Sequence, residues 1–158
     1  MPLAYLGIGS NQGNTSENLA NAVRFLSLEA GKVVRQSSFY SSKPWGFESV
    51  NDFLNGALLV ETDLSPENLL AAIKNIERRM GRQPRTSPSY SDRIIDIDIL
   101  LYDNLVMDQP LLKIPHPLMH LRYFVLFPLA EIAPEAVHPV LNTSIAGMLS
   151  DFERRGVD

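Results

Sequence analysis

The pattern of apolar and polar residues along the chain predicts four main strands and two helices in the order βαββαβ. The strands are expected at residues 3–9, 33–40, 53–62 and 91–102, the last with strict alternation from Ile95 to Ile99. Asn14 and Ser65 are good N-caps, so a helix is predicted to begin after each of them. Gly31 and Gly81 stand where glycine commonly ends a helix.

This order is typical of an α+β fold with a ferredoxin-like βαββαβ core, in which helices pack on an antiparallel-rich sheet. After residue 118 the helical pattern is weaker, because Pro128 is expected to break any helix that runs through it. Residues 142–144 are expected to begin a last helix. We therefore expect extra C-terminal helices and a single domain over residues 1–158.

The fourth strand places two carboxylates side by side. Alternation predicts that Asp96 and Asp98 share a face with Leu100 and Tyr102, with their own Cα atoms roughly 6.5–7 Å apart. The opposite face is predicted to carry Ile95, Ile97, Ile99 and Leu101. A divalent cation would compensate two adjacent carboxylates, and Mg²⁺ is usually held by one or two of them together with phosphates. The alternative is a solvated face of a half-covered sheet.

A loop over residues 82–93 leads directly into this strand. It carries Arg82, Arg85 and Arg93, and arginine donors suit phosphate oxygens. Loops of this length are usually lids or binding loops, although a solvated loop is the simpler alternative.

Three further features are consistent with a ligand site. His116 lies between two prolines that restrict its backbone, which makes it a candidate phosphate contact. Asn55 shares a strand face with Phe53, and its amide is expected to bind either backbone or a ligand edge. The loop with Trp45 and Phe47 is either a lid on the core or a stacking surface for a flat ligand.

Glycines at the end of the first strand invite comparison with nucleotide-binding loops. The spacing Gly7-x-Gly9-x-x-x-Gly13 differs from the dinucleotide fingerprint, and the chain has no Gly-Lys-Ser/Thr sequence. A tight polar turn between strand and helix is the favoured interpretation.

Composition narrows the classes of function. The chain has no cysteine, so disulfides and thiolate sites are excluded. A net charge of −4 argues against non-specific binding to nucleic acid or membrane surfaces. There is no signal-peptide pattern and no apolar run of about 20 residues, so we expect a cytoplasmic protein.

These residues together favour metal-dependent transfer of a phosphate group to a planar ligand. A small-molecule-binding regulatory module on the same fold would explain Asn55 and the aromatic residues, but not Asp96 and Asp98 beside Arg82 and Arg93. A two-metal phosphodiesterase would usually need more carboxylate and histidine ligands.

Over nearly its whole length the chain resembles the 6-hydroxymethyl-7,8-dihydropterin pyrophosphokinase family of folate biosynthesis. The resemblance is carried by Gly9-Ser10-Asn11, Ser38-Phe39-Tyr40, Asp52-Phe53-Leu54-Asn55, Ile76-Glu77 with Gly81-Arg82, Asp92-Arg93-Ile94-Ile95-Asp96-Ile97-Asp98-Ile99, Ile114-Pro115-His116-Pro117, Arg122 with Phe124, and Pro128-Leu129-Ala130-Glu131-Ile132-Ala133-Pro134.

The resemblance implies transfer of the pyrophosphoryl group from ATP to the hydroxymethyl oxygen of the pterin, with release of AMP. It implies two Mg²⁺ ions, and ATP and the hydroxymethyl dihydropterin as the small-molecule partners. It implies neither a nucleic-acid nor a membrane partner. We expect a monomer.

By matching motif positions, the resemblance also assigns roles to residues. Arg82 and Arg93 would stabilise the transferred group, and Asp96 and Asp98 would bind the metal ions. The residues implied for ATP are Glu77, Ile99, Leu112, Lys113, His116 and Arg122. Those implied for the pterin are Ser42, Pro44, Trp45, Phe53, Asn55, Asp96 and Phe124. Three departures or ambiguous matches are Lys74 in place of a frequent glutamine, Tyr90 in place of a frequent tryptophan, and Arg85 as an extra loop cation.

Overall fold

The computed structural model describes residues 1–43, 51–81 and 93–155. Its strands are β1 (Leu3–Ser10), β2 (Lys32–Gln36), β3 (Tyr40–Ser42), β4 (Phe53–Glu61), β5 (Asp96–Tyr102), β6 (Met107–Gln109) and β7 (Leu112–Ile114). Its α-helices are α1 (Thr15–Glu29), α2 (Pro66–Arg79), α3 (Tyr123–Ile132) and α4 (Ile145–Arg154), with a 3₁₀ helix at Met119–Leu121.

The main sheet is antiparallel and has the strand order β2-β4-β1-β5, with β3 also paired to β4. Strands β6 and β7 form a separate two-stranded sheet. If β2 and β3 are counted as one interrupted strand, the elements follow the predicted βαββαβ order. The prediction of an α+β fold with an antiparallel sheet, a ferredoxin-like core and extra C-terminal helices is confirmed.

Helices cover both faces of the sheet. Buried residues of α1 and α2 pack with Leu6, Ile8 and other apolar residues on one face, whereas α3 and α4 pack on the opposite face. The predicted N-caps are confirmed: the Asn14 side chain accepts a hydrogen bond from the Glu17 amide, and Ser65 accepts one from the Asn68 amide.

The predicted strand over residues 33–40 is interrupted in the structure. Residues 37–39 lie outside β2 and β3, and Ser37 makes local bonds there. Its hydroxyl donates to the Ser38 carbonyl at 2.7 Å and accepts from the Ala57 amide at 2.8 Å. Such side-chain bonds compete with a regular ladder, which explains the break.

The predicted facing of β5 is wrong after Leu100. Tyr5 pairs with Leu101 while Leu6 pairs with Ile99, so Leu100 is an extra residue in the ladder. Such a bulge reverses the faces of the residues that follow it. Leu101 consequently packs in the core beneath α3 and α4, and Tyr102 in the core beneath α1 and α2.

The expectation that Pro128 would break a helix is also wrong. Helix α3 continues through Pro128, which is buried within it. Val125, Leu126 and Leu129 are buried in the same apolar cluster, and this packing outweighs the missing backbone hydrogen bond. Within the described ranges, no helix has the length and apolar character needed to cross a membrane.

We predict that Gly31→Ala lowers the free energy of unfolding by more than about 2 kcal/mol, because the new methyl group has no space. An ideal Cβ at this position would lie 2.1 Å from the Glu61 carbonyl oxygen. Gly7→Ala is the control, because the atoms nearest to its Cβ would belong to the Leu100 side chain, at an ordinary contact distance of 3.5 Å. Urea unfolding of both variants measures the difference, and equal stabilities would contradict the prediction.

Candidate active site

Two glycines of the central strand form the floor of the site. Gly9 pairs with Asn55 of β4 on one side and with Asp96 of β5 on the other. Gly7 pairs in the same way with Ala57 and Asp98. Because glycine has no side chain, β1 leaves an open surface between the amide on β4 and the carboxylates on β5. Sequence reasoning missed this role, although alternate glycines within a strand are a recognisable signal of close approach.

The first cleft lies above this floor and contains about 580 Å³ of empty space. Five of the residues implied for the pterin line it: Ser42, Phe53, Asn55, Asp96 and Phe124. Asp98 and Arg122 line it as well. One part of the cleft is therefore lined by aromatic rings and a side-chain amide, and another part by two carboxylates and a guanidinium group.

The orientation of Asn55 is defined by β3. Its Nδ2 donates to the Ser42 hydroxyl at 2.7 Å and to the Tyr40 carbonyl at 3.3 Å. A Cβ at Gly9 would lie 3.1 Å from the Asn55 Oδ1, which places that oxygen over the glycine floor. The amide thus binds the protein through its donors while its acceptor faces the cleft.

A second cleft, with about 670 Å³ of empty space, lies beside the first. It is lined by Ile99, Leu112, Lys113 and His116, which the resemblance implies for ATP, and by Lys74. Asp98 lines both clefts. A ligand in either cleft can therefore reach the same carboxylate.

Glu77 supports β5 between the two aspartates. Its side chain is only 3% exposed, and its carboxylate accepts a hydrogen bond from the Ile97 amide at 2.9 Å. The Lys74 Nζ lies 3.8 Å from the other carboxylate oxygen. In this structure Glu77 binds the strand itself, and its contact with ATP stays a prediction.

Arg93 is buried beside the carboxylates, with its Nη1 3.3 Å from the Asp96 Oδ1. Asn11 fixes its backbone: the Asn11 side chain accepts from the Arg93 amide at 2.7 Å, and the Asn11 amide donates to the Arg93 carbonyl at 3.0 Å. The Asn11 Nδ2 also donates to the Asn51 carbonyl, just before β4. Sequence reasoning assigned Asn11 no role; its position directly after β1 was the available signal.

His116 is held rigidly and is neutral at pH 7. Its amide donates to the Leu100 carbonyl at 2.9 Å, and its Nδ1 accepts from the Leu118 amide at 3.2 Å. Burial and the positive charge of Arg122 lower the pKa of His116 to about 4, although Asp96 acts in the opposite direction. Because Nδ1 accepts, the proton of the neutral ring is on Nε2.

The donor set at Asp96 and Asp98 fits Mg²⁺. Both carboxylates are partly exposed on the strand face that lines the first cleft. Across the described parts of the chain, no group of three or more His, Asp or Glu side chains is arranged to hold a metal ion. Mg²⁺ commonly takes only one or two carboxylates and completes its shell with water and phosphate oxygens.

Five residues implied by the resemblance lie outside the described part of the chain. They are Pro44, Trp45, Arg82, Arg85 and Tyr90. Their roles stay predictions.

We predict that His116→Asn makes stability less sensitive to acid. The histidine takes up a proton below pH 6.5 in the unfolded chain but only near pH 4 in the folded protein. The neutral, buried His116 therefore favours the folded state at pH 7, and this contribution to the free energy of unfolding is lost as the pH falls from 6.5 to 4. Between pH 7.5 and pH 5, the wild type should lose on the order of 2 kcal/mol more than the variant. Asparagine keeps an acceptor for Leu118. Urea unfolding at both pH values measures the difference, and parallel losses would contradict it.

Comparisons with known proteins identify the family. The sequence model of the family 7,8-dihydro-6-hydroxymethylpterin-pyrophosphokinase (HPPK) matches residues 5–134. The chain is 43% identical to the 2-amino-4-hydroxy-6-hydroxymethyldihydropteridine pyrophosphokinase of Aquifex aeolicus, over 89% of this chain and 86% of that protein. It is 42% identical to the protein of the same name from Methylorubrum extorquens, over 100% of this chain and 98% of that one.

Solved structures show the same fold. A crystal structure of wild-type Plasmodium falciparum HPPK-DHPS with pteroate superposes with a TM-score of 0.79 at 18% identity. The match covers 98% of this chain but only 45% of that one, so the chain spans less than half of the solved protein. The family match, together with the two relatives above 40% identity, shows that the chain belongs to the 7,8-dihydro-6-hydroxymethylpterin-pyrophosphokinase family.

Proposed function

We propose that this chain transfers the pyrophosphoryl group of ATP to 6-hydroxymethyl-7,8-dihydropterin, with the two substrates in the two neighbouring clefts. Because the chain belongs to this family, its activity is that of the pyrophosphokinase in folate biosynthesis. The observation that supports the arrangement of substrates is that Asp98 lines both clefts. A phosphate chain that starts in one cleft and an acceptor in the other would meet at this residue.

The reaction exchanges one phosphorus–oxygen bond for another. The hydroxymethyl oxygen attacks the β-phosphorus of ATP, and the bond from that phosphorus to the oxygen bridging the α-phosphorus breaks. AMP leaves with that oxygen, and the acceptor hydroxyl loses its proton. The protein contributes mainly alignment and stabilisation of charge in such a transfer.

The first cleft is the proposed pterin site. Phe53 and Phe124 offer apolar rings to a flat ligand, and Asn55 offers its side-chain oxygen to a ring donor. A regulatory module would share these features but would leave the carboxylates of β5 without a purpose, and family membership does not favour it.

The second cleft is the proposed nucleotide site. Ile99 and Leu112 give it apolar walls, and His116 lines it with an Nε2–H that can donate to a phosphate oxygen. The positive charge of Arg122 lowers the pKa of His116, and Arg122 also lines the first cleft. Arg122 would therefore contact phosphates that lie between the clefts. Arg93, beside Asp96, would stabilise the transferred group.

Asp96 and Asp98 would hold Mg²⁺, with two ions expected when ATP and the pterin are present. The bound metal would neutralise phosphate charge and favour attack at phosphorus. The carboxylates keep their spacing because β5 is bonded on one side to β1 and on the other to Glu77. We further propose that the chain acts as a monomeric single domain in the cytoplasm.

We predict that the protein, supplied with MgCl₂, ATP and 6-hydroxymethyl-7,8-dihydropterin, releases one AMP for each pterin diphosphate formed. Chromatography of the nucleotides measures this ratio. ADP as the only nucleotide product, or no turnover, would contradict the proposed reaction.

We predict that Asp98→Asn lowers kcat/KM by roughly a hundredfold or more, since removal of one carboxylate weakens the metal site. The half-saturating Mg²⁺ concentration should rise in the same variant. Asp151→Asn is a matched control, because it removes the same charge from the exposed surface of α4. Near-normal activity and Mg²⁺ dependence in Asp98→Asn would assign this carboxylate a structural role only.

A further inference from the structure

Two motifs that the proposed chemistry does not use contact each other. The Glu131 carboxylate, near the end of α3, accepts a hydrogen bond from the Tyr40 hydroxyl at 2.5 Å. It also accepts from the Ser38 amide at 3.1 and 3.2 Å and from the Ser38 hydroxyl at 3.3 Å. One side chain of α3 therefore binds the start of β3 and the residues just before it.

The ring of Tyr40 adds a second contact with α3. It packs edge-on against Phe127, with the ring centroids 4.9 Å apart. Phe127 and Glu131 are four residues apart, so they lie on the same side of the helix. Phe124, one turn before Phe127, lines the first cleft. The side of α3 that carries Phe124, Phe127 and Glu131 thus runs from the cleft to Tyr40.

Strand β3 in turn orients the amide of the first cleft. The Tyr40 carbonyl and the Ser42 hydroxyl accept the two Nδ2 hydrogen bonds of Asn55. β3 has only three residues, and in the sheet it pairs with β4. A shift of Tyr40 would therefore move the acceptors that define which way the Asn55 amide points.

We propose that the Tyr40–Glu131 pair is a positioning device for Asn55 that controls affinity for the pterin substrate. It ties β3, which orients the amide, to α3, which supplies the aromatic wall opposite. Neither residue lines either cleft, so both act through Asn55 and Phe124. The inference rests on the proposed function of the first cleft.

The protonation states support the pair at neutral pH. The hydrogen bond from Tyr40 holds the pKa of the Glu131 carboxyl below its usual range, and the same bond raises the pKa of the Tyr40 hydroxyl. The Tyr40 hydroxyl therefore keeps its proton, and the Glu131 carboxylate stays ionised, over the pH range in which the enzyme would be assayed. Glu131 is exposed and Tyr40 is half-buried, and Tyr40→Phe keeps the ring that packs on Phe127, so these substitutions should leave the folded state intact.

The test uses Tyr40→Phe and Glu131→Leu in steady-state kinetics. Tyr40→Phe keeps the ring against Phe127 and removes the hydroxyl, and Glu131→Leu removes the carboxylate that accepts from it. We expect each to raise KM for the pterin roughly three- to tenfold, the span that corresponds to one lost hydrogen bond. KM for ATP and kcat should stay within about twofold of the wild type. The double variant should be no worse than the worse single variant, since the Tyr40 hydroxyl has lost its acceptor once Glu131 is replaced.

Tyr123→Phe is the matched control. Its hydroxyl also donates to a glutamate, Glu153 at 3.4 Å, and its ring also packs on Phe127. The control should leave KM for the pterin unchanged. A second measurement needs no turnover: the side-chain amide signal of Asn55 in ¹H–¹⁵N spectra, assigned with Asn55→Ser, should shift in Tyr40→Phe and not in Tyr123→Phe.

The outcomes distinguish this inference from the proposed function. An active wild type whose pterin KM is unchanged in Tyr40→Phe and Glu131→Leu would overturn the positioning role alone. Equal rises in KM for pterin and ATP, or an equal effect of Tyr123→Phe, would also overturn it. A wild type that does not turn over the pterin would overturn the proposed function, and an unmoved Asn55 signal would then overturn the positioning role separately.

Discussion

The site depends on one steric constraint, the lack of side chains at Gly7 and Gly9 in the middle of the sheet. β1 is bonded on both sides, so these positions lie between β4 and β5. Any side chain at Gly9 would meet the Asn55 oxygen at 3.1 Å and the Phe53 ring at 3.6 Å. The open floor lets an amide on one strand and carboxylates on another face the same space. A flat ligand bound by the amide can therefore present its reacting atom to the carboxylates.

Charge in the site is balanced across several elements. Asp96 pairs with the buried Arg93, and Arg122 projects from the start of α3. His116 remains neutral between Arg122 and Asp96, so it adds a hydrogen-bond donor without adding a positive charge. The carboxylates are partly exposed and have guanidinium groups nearby. This arrangement suits a reaction in which a metal ion and phosphates bind together, because the metal would lie near negative groups and the phosphates near positive ones.

Local sequence was sufficient for much of the fold and for part of the site. Alternation along β5 correctly placed Asp96 and Asp98 on one face, and the N-caps at Asn14 and Ser65 were readable from residue type alone. The bulge at Leu100 was not readable, because register depends on the pairing with β1 rather than on β5 itself. The effect of Pro128 on α3 also depends on distant residues, because tertiary packing keeps the helix intact.

Features that depend on distant residues could not be predicted. Gly7 and Gly9 gain their role only when β4 and β5 lie on either side of β1. The bond from Glu77 to the Ile97 amide joins a helix to a strand edge, and nothing in either segment specifies the other. The neutral state of His116 likewise follows from burial and from Arg122. In each case the sequence supplied the residue type, and the fold supplied its neighbour.

The central claim is that two substrates bind in separate clefts that meet at Asp98. A crystal structure with Mg²⁺, a non-hydrolysable ATP analogue and 6-hydroxymethyl-7,8-dihydropterin tests it most directly. We expect nucleotide density beside Ile99, Leu112 and His116, pterin density between Phe53 and Phe124, and the phosphate chain running to Asp98. Both ligands in one cleft, or phosphates remote from Asp96 and Asp98, would contradict it.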